Sequence, residues 1–183
     1  MEKKRGFIAP TDIVQVGVFA AIVYGGMWLR IQIPAPVGFT AVNLGNIFVL
    51  MAGLMLGPVK GGLAAGIGGM VFNLTHPILI AYWPFTLVFR FAHAFVCGLV
   101  SARGGKMARM TAAAAAGQLT YITLYLSQVF FWDGVVVKGL YPAEAWISLA
   151  TPAVTTLING VIAVTVAAPL TLALQKALGR RRT

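Results

Sequence analysis

Six apolar stretches separated by short polar gaps run along this 183-residue chain. They are continuous and rich in Ala, Gly and Leu, without the every-second-residue alternation that strands of a membrane barrel require. The pattern predicts helices over about 12–31, 42–57, 59–74, 84–102, 110–131 and 145–174. Pro10-Thr11-Asp12 gives the first a start, and Pro34-Ala35-Pro36 ends it. The second and third are short for a crossing, which takes about 20 residues, and Gly57-Pro58 joins them tightly, so they read as a helical hairpin. The last is long enough to tilt, or to bend near Pro152 and Pro169. Trp132–Glu144 reads as an outer connection.

The basic residues sort by this alternation. Lys3, Lys4, Arg5, Lys60, Arg103, Lys106, Arg109, Lys176, Arg180, Arg181 and Arg182 fall on one side, and only Arg30 and Lys138 fall on the other. By the positive-inside rule the first side is cytoplasmic, which places both termini inside and requires an even number of spans. The expectation is a single all-α integral membrane domain, 1–183, with six transmembrane helices. Composition agrees, because 59% hydrophobic, 10% charged and a mean hydropathy of +0.86 depart from soluble domains, where about 25% is charged. The net charge of +10 does not imply nucleic acid, since the basic residues cap the spans and no basic-aromatic stripe accompanies them. The first stretch ends in Met27-Trp28-Leu29-Arg30 without a small-residue cleavage site, so no cleavable leader is expected.

Catalytic groups are scarce. The four carboxylates, Glu2, Asp12, Asp133 and Glu144, lie at span ends or in connections. His76 and His93 have no metal-pair spacing, the lone Cys97 excludes an internal disulfide or cysteine cluster, and no hydrolase signature is present. Gly104-Gly105-Lys106-Met107 lacks both the first glycine and the Ser/Thr of a phosphate loop, so the chain is not expected to hydrolyse nucleotide. Ion-coupled transport usually places a carboxylate inside the membrane, and no span holds one. Small residues recur at Gly17, Ala21 and Gly25 and again at Gly61, Ala65 and Gly69, a spacing that lets helices approach closely in lipid. The second stripe suits packing within the bundle, whereas the first could face a separate protein.

The polar residues within spans form seams. Thr86, Arg90, His93 and Cys97 share one face of span four, Gln118, Tyr121, Tyr125 and Gln128 follow on span five, and Thr151, Thr155 and Asn159 on span six. Polar groups facing hydrocarbon cost several kcal/mol each, so these seams are expected to meet one another or a cavity between spans four, five and six. Arg90 either serves that site or snorkels outward. The outer connections add Asn43, Asn73, His76 and Tyr82 as lid material. Trp83 and Trp132 either stack on a flat ligand or anchor the interface, as Trp28 and Trp146 are expected to do.

Val42-Asn43-Leu44-Gly45-Asn46, then Leu56-Gly57-Pro58-Val59-Lys60-Gly61-Gly62 running on to Gly69, and finally Pro84-Phe85-Thr86-Leu87 resemble in order the motifs of the substrate-binding S components of energy-coupling factor (ECF) vitamin transporters. The resemblance covers about residues 12–175 and is nearest the riboflavin- and hydroxymethylpyrimidine-type branch. It implies a six-helix protein with an outward-opening pocket, and docking of Gly17, Ala21 and Gly25 onto a transmembrane T subunit. Two ATPase A subunits would consume the ATP, this chain would bind no cofactor, and the loaded S component would topple within the membrane. The chain departs from many relatives in having Asn46 and Asn73 where aspartate is common, and Arg90 where lysine is. That makes the pocket more positive and favours a neutral or anionic ligand over a cation such as thiamine.

The expected function is therefore capture of a small water-soluble vitamin or precursor at the plasma membrane of a prokaryote, for delivery through the partner module. Arg90, His93, Tyr125, Gln128, Asn159, Thr155, Asn43, Asn46, Asn73, His76, Trp83 and Trp132 are the candidate ligand residues, with no catalytic or metal-binding set. A stand-alone secondary transporter or facilitator is the alternative, and an intramembrane enzyme using His93 as base is a further one. Riboflavin, pyridoxine, a pyrimidine precursor and pantothenate are not distinguished.

Overall fold

The computed structural model describes residues 9–35, 39–101 and 106–179. Glu2 and the basic residues Lys3, Lys4, Arg5, Arg103, Arg180, Arg181 and Arg182 lie outside them, as do Pro36 and Gly104-Gly105. The main helices are α1 (Pro10–Met27), α2 (Gly45–Leu56), α3 (Pro58–Thr75), α4 (Trp83–Ser101), α5 (Met107–Gln128), a short α6 (Pro142–Ser148) and α7 (Ala150–Ala177). Three helical segments, Pro10–Met27, Ile80–Ser101 and Pro142–Ala177, are long and apolar enough to cross a membrane.

The first departure from the sequence reading lies between α1 and α2. Helix α1 stops at Met27 rather than at Ile31, and the chain forms an antiparallel hairpin of β1 (Arg30–Pro34) and β2 (Phe39–Asn43), with Arg30 opposite Asn43 and Gln32 opposite Ala41. The segment Arg30-Ile31-Gln32-Ile33 does alternate, but it and the partner strand are each too short to stand out beside the apolar stretches flanking them. A second departure follows α5. The helix passes into wide π-helical turns over Val129–Val137, so residues assigned to an outer connection remain wound. That run is apolar apart from Asp133 and Gly134, and π turns recur where a helix must re-aim a functional side chain. The last apolar stretch divides at Leu149, and Pro152 sits in the first turn of α7, where its missing N–H leaves no bond unmade.

Helix α2 is the centre. At 12 residues it spans about 18 Å, well short of a hydrocarbon core. Ten of those residues are buried, because α1, α3, α4 and α7 pack around it. Gly57, at φ +81°, makes the reversal into α3, a left-handed conformation that favours glycine over any side chain. Helix α3 then lies against α1 and α4 along its glycines. A Cβ on Gly69 would stand 2.9 Å from Arg90 Cγ and 3.0 Å from Thr86 Cγ2, so that glycine makes room for the polar face of α4. Outward positions such as Val14, Val18, Val88, Val154, Ile158 and Val161 are exposed and apolar, as a lipid-facing surface requires.

Candidate functional site

A cavity of about 330 Å³ opens at the end of the bundle that carries the β hairpin, near the lower limit for pockets that enclose a drug-sized molecule. Its deep wall is polar. Arg90, only 6% exposed, donates from Nη1 to Asn46 Oδ1, and its guanidinium carbon lies 4.3 Å from the centre of the Tyr121 ring. A buried cation needs such partners, and here they are an amide oxygen and an aromatic face. Asn73 Nδ2 donates to Thr86 Oγ1 at 2.7 Å, linking α3 to α4 beside the arginine.

Aromatic rings form one side. Tyr121 and Tyr125, one helical turn apart on α5, are nearly parallel at 8° with centroids 5.9 Å apart, and His93 stacks on Tyr121 with centroids 5.1 Å apart. Both tyrosines line the cavity, and Tyr125 Oη donates to Thr40 Oγ1 at 3.4 Å.

The β hairpin closes another side through one residue. Asn159 of α7 accepts from the Asn43 N–H at 2.8 Å and donates to the Ala41 carbonyl at 2.6 Å, while Asn43 Oδ1 accepts from the Gly45 N–H at 2.6 Å. Asn159 thus clamps β2 onto α7 and satisfies two main-chain groups. Asn159→Ala is expected to lower the unfolding free energy by about 1–3 kcal/mol through those two orphaned groups, and to weaken ligand binding with it. Thermal unfolding in detergent checks this, and an unchanged Tm would show that the clamp is dispensable.

At the mouth, Asp133 accepts from Tyr82 Oη at 2.9 Å and from Gln128 Nε2 at 3.0 Å, tying the α3–α4 connection to the π-helical segment. Burial pushes its carboxyl above the usual carboxylate range, and the two donated bonds oppose that shift.

Of the residues singled out from the sequence, Arg90, Tyr125, Gln128, Asn159, Asn43, Asn46 and Asn73 line the cavity. His93 does not, because it is fully buried behind Tyr121, where it cannot reach a substrate as a base would have to. Thr155 turns its hydroxyl to the Thr151 carbonyl, and its neighbour Thr156 faces the cavity instead, since Thr156 and Asn159 share a face at three-residue spacing. His76 packs against Trp28 and Phe72 at the end of α3. Trp83 and Trp132 are not cavity residues, and Trp132 lies against Phe85. The cavity also extends beyond spans four to six, drawing on α2, α3 and the hairpin.

Residues the seams did not include are Arg30, Thr40, Tyr82, Asp133 and Thr156, along with apolar Met27, Phe72 and Phe89. Along the sequence Tyr82 stands among the lid residues and Asp133 in a connection. Arg30 stands there only as a charge on the outer side. Its position facing the cavity depends on the β hairpin.

The motif order noted above has a counterpart among known proteins. Residues 8–176 match the family described as the ECF-type riboflavin transporter, S component. A protein of Pyrococcus woesei, described as an uncharacterized protein in the gap 3′ region, is 28% identical over 126 residues, which cover 66% of this chain and 80% of that protein. With a match extending over nearly the whole sequence, this chain belongs to the S components of ECF-type riboflavin transporters, the substrate-binding subunits of energy-coupling factor importers.

Proposed function

We propose that the ligand of this S component is riboflavin, taken up in the cavity between α2, α3, α4, α5, α7 and the β hairpin. The observation that carries this reading is the combination of near-parallel tyrosine rings with amide side chains around one cavity. A flavin is a flat ring system whose pyrimidine edge alternates carbonyl acceptors with an N–H donor. Asparagine and glutamine offer both functions in one group, and tyrosine rings favour offset stacking with another flat π-system. The ligand residues in this proposal are Arg90, Asn43, Asn46, Asn73, Tyr125, Gln128 and Asn159. Protein purified from riboflavin-fed cells is expected to carry a yellow, fluorescent ligand with the mass of riboflavin. A different mass at full occupancy would overturn the assignment.

S components work with a T subunit and ATPase A subunits, and this protein is embedded in the membrane. The proposal adds that six segments cross the plasma membrane of a prokaryote with both termini inside, and that the chain forms one domain without catalytic activity or a cofactor of its own. Two A subunits would use the ATP. The charge alternation supports the orientation, and the Lys60–Asp12 ion pair of 2.5 Å places the start of α3 beside the start of α1, as that topology demands. Gly17, Ala21 and Gly25 are proposed to dock the T subunit: they form an exposed stripe on α1, and a Cβ on either glycine would meet nothing within 4 Å.

A further inference from the structure

Behind the tyrosine side of the cavity sits a polar residue that does not line it. His93 of α4 is fully buried, and both of its ring nitrogens lack hydrogen-bond partners among the described residues. Leaving buried polar atoms unpaired costs free energy, and an aliphatic side chain would fill the same space without that cost. What the imidazole supplies instead is a flat face. That face lies on Tyr121, with ring centroids 5.1 Å apart and planes 19° from parallel, and Tyr121 continues to Tyr125 at 5.9 Å and 8°. Three rings from two helices form one stack, and its two tyrosines line the cavity.

The two tyrosines are held in different ways. Tyr125 is tied at its hydroxyl, through Thr40 of the hairpin. Tyr121 is held at its ring, by the Arg90 guanidinium at 4.3 Å and by His93, two residues at three-residue spacing on α4. Close approach of α5 to α4 makes this possible. A Cβ on Gly117, one turn before Tyr121, would stand 2.6 Å from the His93 carbonyl oxygen, so the glycine lets α5 lie against the backbone of α4 at this level.

We propose that His93 is a positioning residue for ligand capture: its imidazole face fixes the plane of Tyr121, so that Tyr121 and Tyr125 present a preformed aromatic wall to a flat ligand. The proposal rests on the flavin reading above. Ordering a side chain at the moment of binding costs affinity, and a ring already held by its neighbours avoids that cost. His93 acts through Tyr121 and touches no ligand itself.

The test is titration of ligand-free protein in detergent with riboflavin. Affinity is read from the quenching of flavin fluorescence, and the extent of stacking from the fluorescence that remains at saturation. His93→Leu removes the flat face and is expected to weaken riboflavin by about fivefold, the order of one aromatic pair, and to raise the remaining fluorescence. His93→Phe keeps a flat ring without the nitrogens and is expected to bind within about twofold of the wild type. In a Tyr121→Leu background, His93→Leu is expected to change affinity by less than about twofold, because its effect passes through the tyrosine. A thermal melt of each variant separates misfolding from lost positioning, and His93→Met, whose side chain adapts to irregular spaces, replaces His93→Leu should that variant not fold. Unchanged affinity in the folded variant without a ring, an equal loss with and without Tyr121, or a folded His93→Phe as weak as His93→Leu overturns the inference while leaving riboflavin as the ligand. Wild-type protein that binds no riboflavin overturns the flavin assignment and this inference with it.

Discussion

Ala21→Leu is expected to abolish co-purification with a T subunit while leaving riboflavin affinity within about twofold of the wild type, the range typical of a surface substitution. The reason lies in the two faces of α1. Its inner face is occupied by Ala20, Val23 and Met27, which are buried, and a Cβ on Gly68 of α3 would meet the Ala20 carbonyl at 2.5 Å. Gly17, Ala21 and Gly25 lie on the other face and are exposed. A leucine at 21 therefore has room in the isolated subunit. In a lipid environment, however, helices associate by close van der Waals packing, and a branched side chain on a small-residue stripe holds the backbones apart. Pull-down of the tagged S component with co-expressed T and A subunits, alongside a flavin titration of the same preparation, measures both effects. Loss of flavin binding together with assembly would place Ala21 in the internal packing of the subunit.

Arg90→Ala is expected to weaken riboflavin binding by more than about tenfold, equivalent to about 1.4 kcal/mol. Two terms combine here. The substitution removes a cation from the cavity wall, and it strands Asn46 Oδ1, whose residue is 1% exposed, without its donor. An orphaned buried acceptor costs about 1–3 kcal/mol, so the melting temperature is expected to fall as well. The contact with Tyr121 adds a further effect, because the guanidinium 4.3 Å from that ring holds one member of the Tyr121–Tyr125 pair in place. Arg90→Lys keeps the charge and loses the planar fork, so it should recover part of the affinity. A lowered Tm with unchanged affinity would make Arg90 a structural residue and leave ligand recognition to the asparagines.

The deep polar residues were legible from spacing. Arg90 and Thr86 stand on one face of α4, and Tyr121, Tyr125 and Gln128 recur along α5, so a helical reading already places them on shared faces. Periodicity also put His93 and Gln118 on those faces, but it cannot tell a residue that faces the cavity from one buried behind another. Both are buried, with side-chain atoms that lack hydrogen-bond partners. The choice between Thr155 and Thr156 had the same limit, because a shift of about 100° around α7 separates a hydroxyl that bonds its own helix from one that faces the cavity.

Membrane residence, the helical class, the reversal at Gly57-Pro58 and the family were all present in the order of residues. Each rests on composition, on charge alternation or on short local motifs, which need no knowledge of distant neighbours. Tertiary structure decided the mouth of the cavity. The β hairpin exists through pairing between strands too short to declare themselves, and Asn159, 116 residues from Asn43, clamps it in place. Asp133 meets Tyr82 across 51 residues through the π-helical turns that follow α5. Arg30 shows the difference most clearly: along the sequence it is one of two outer basic residues, and only the strand that carries it turns it toward the cavity beside Arg90.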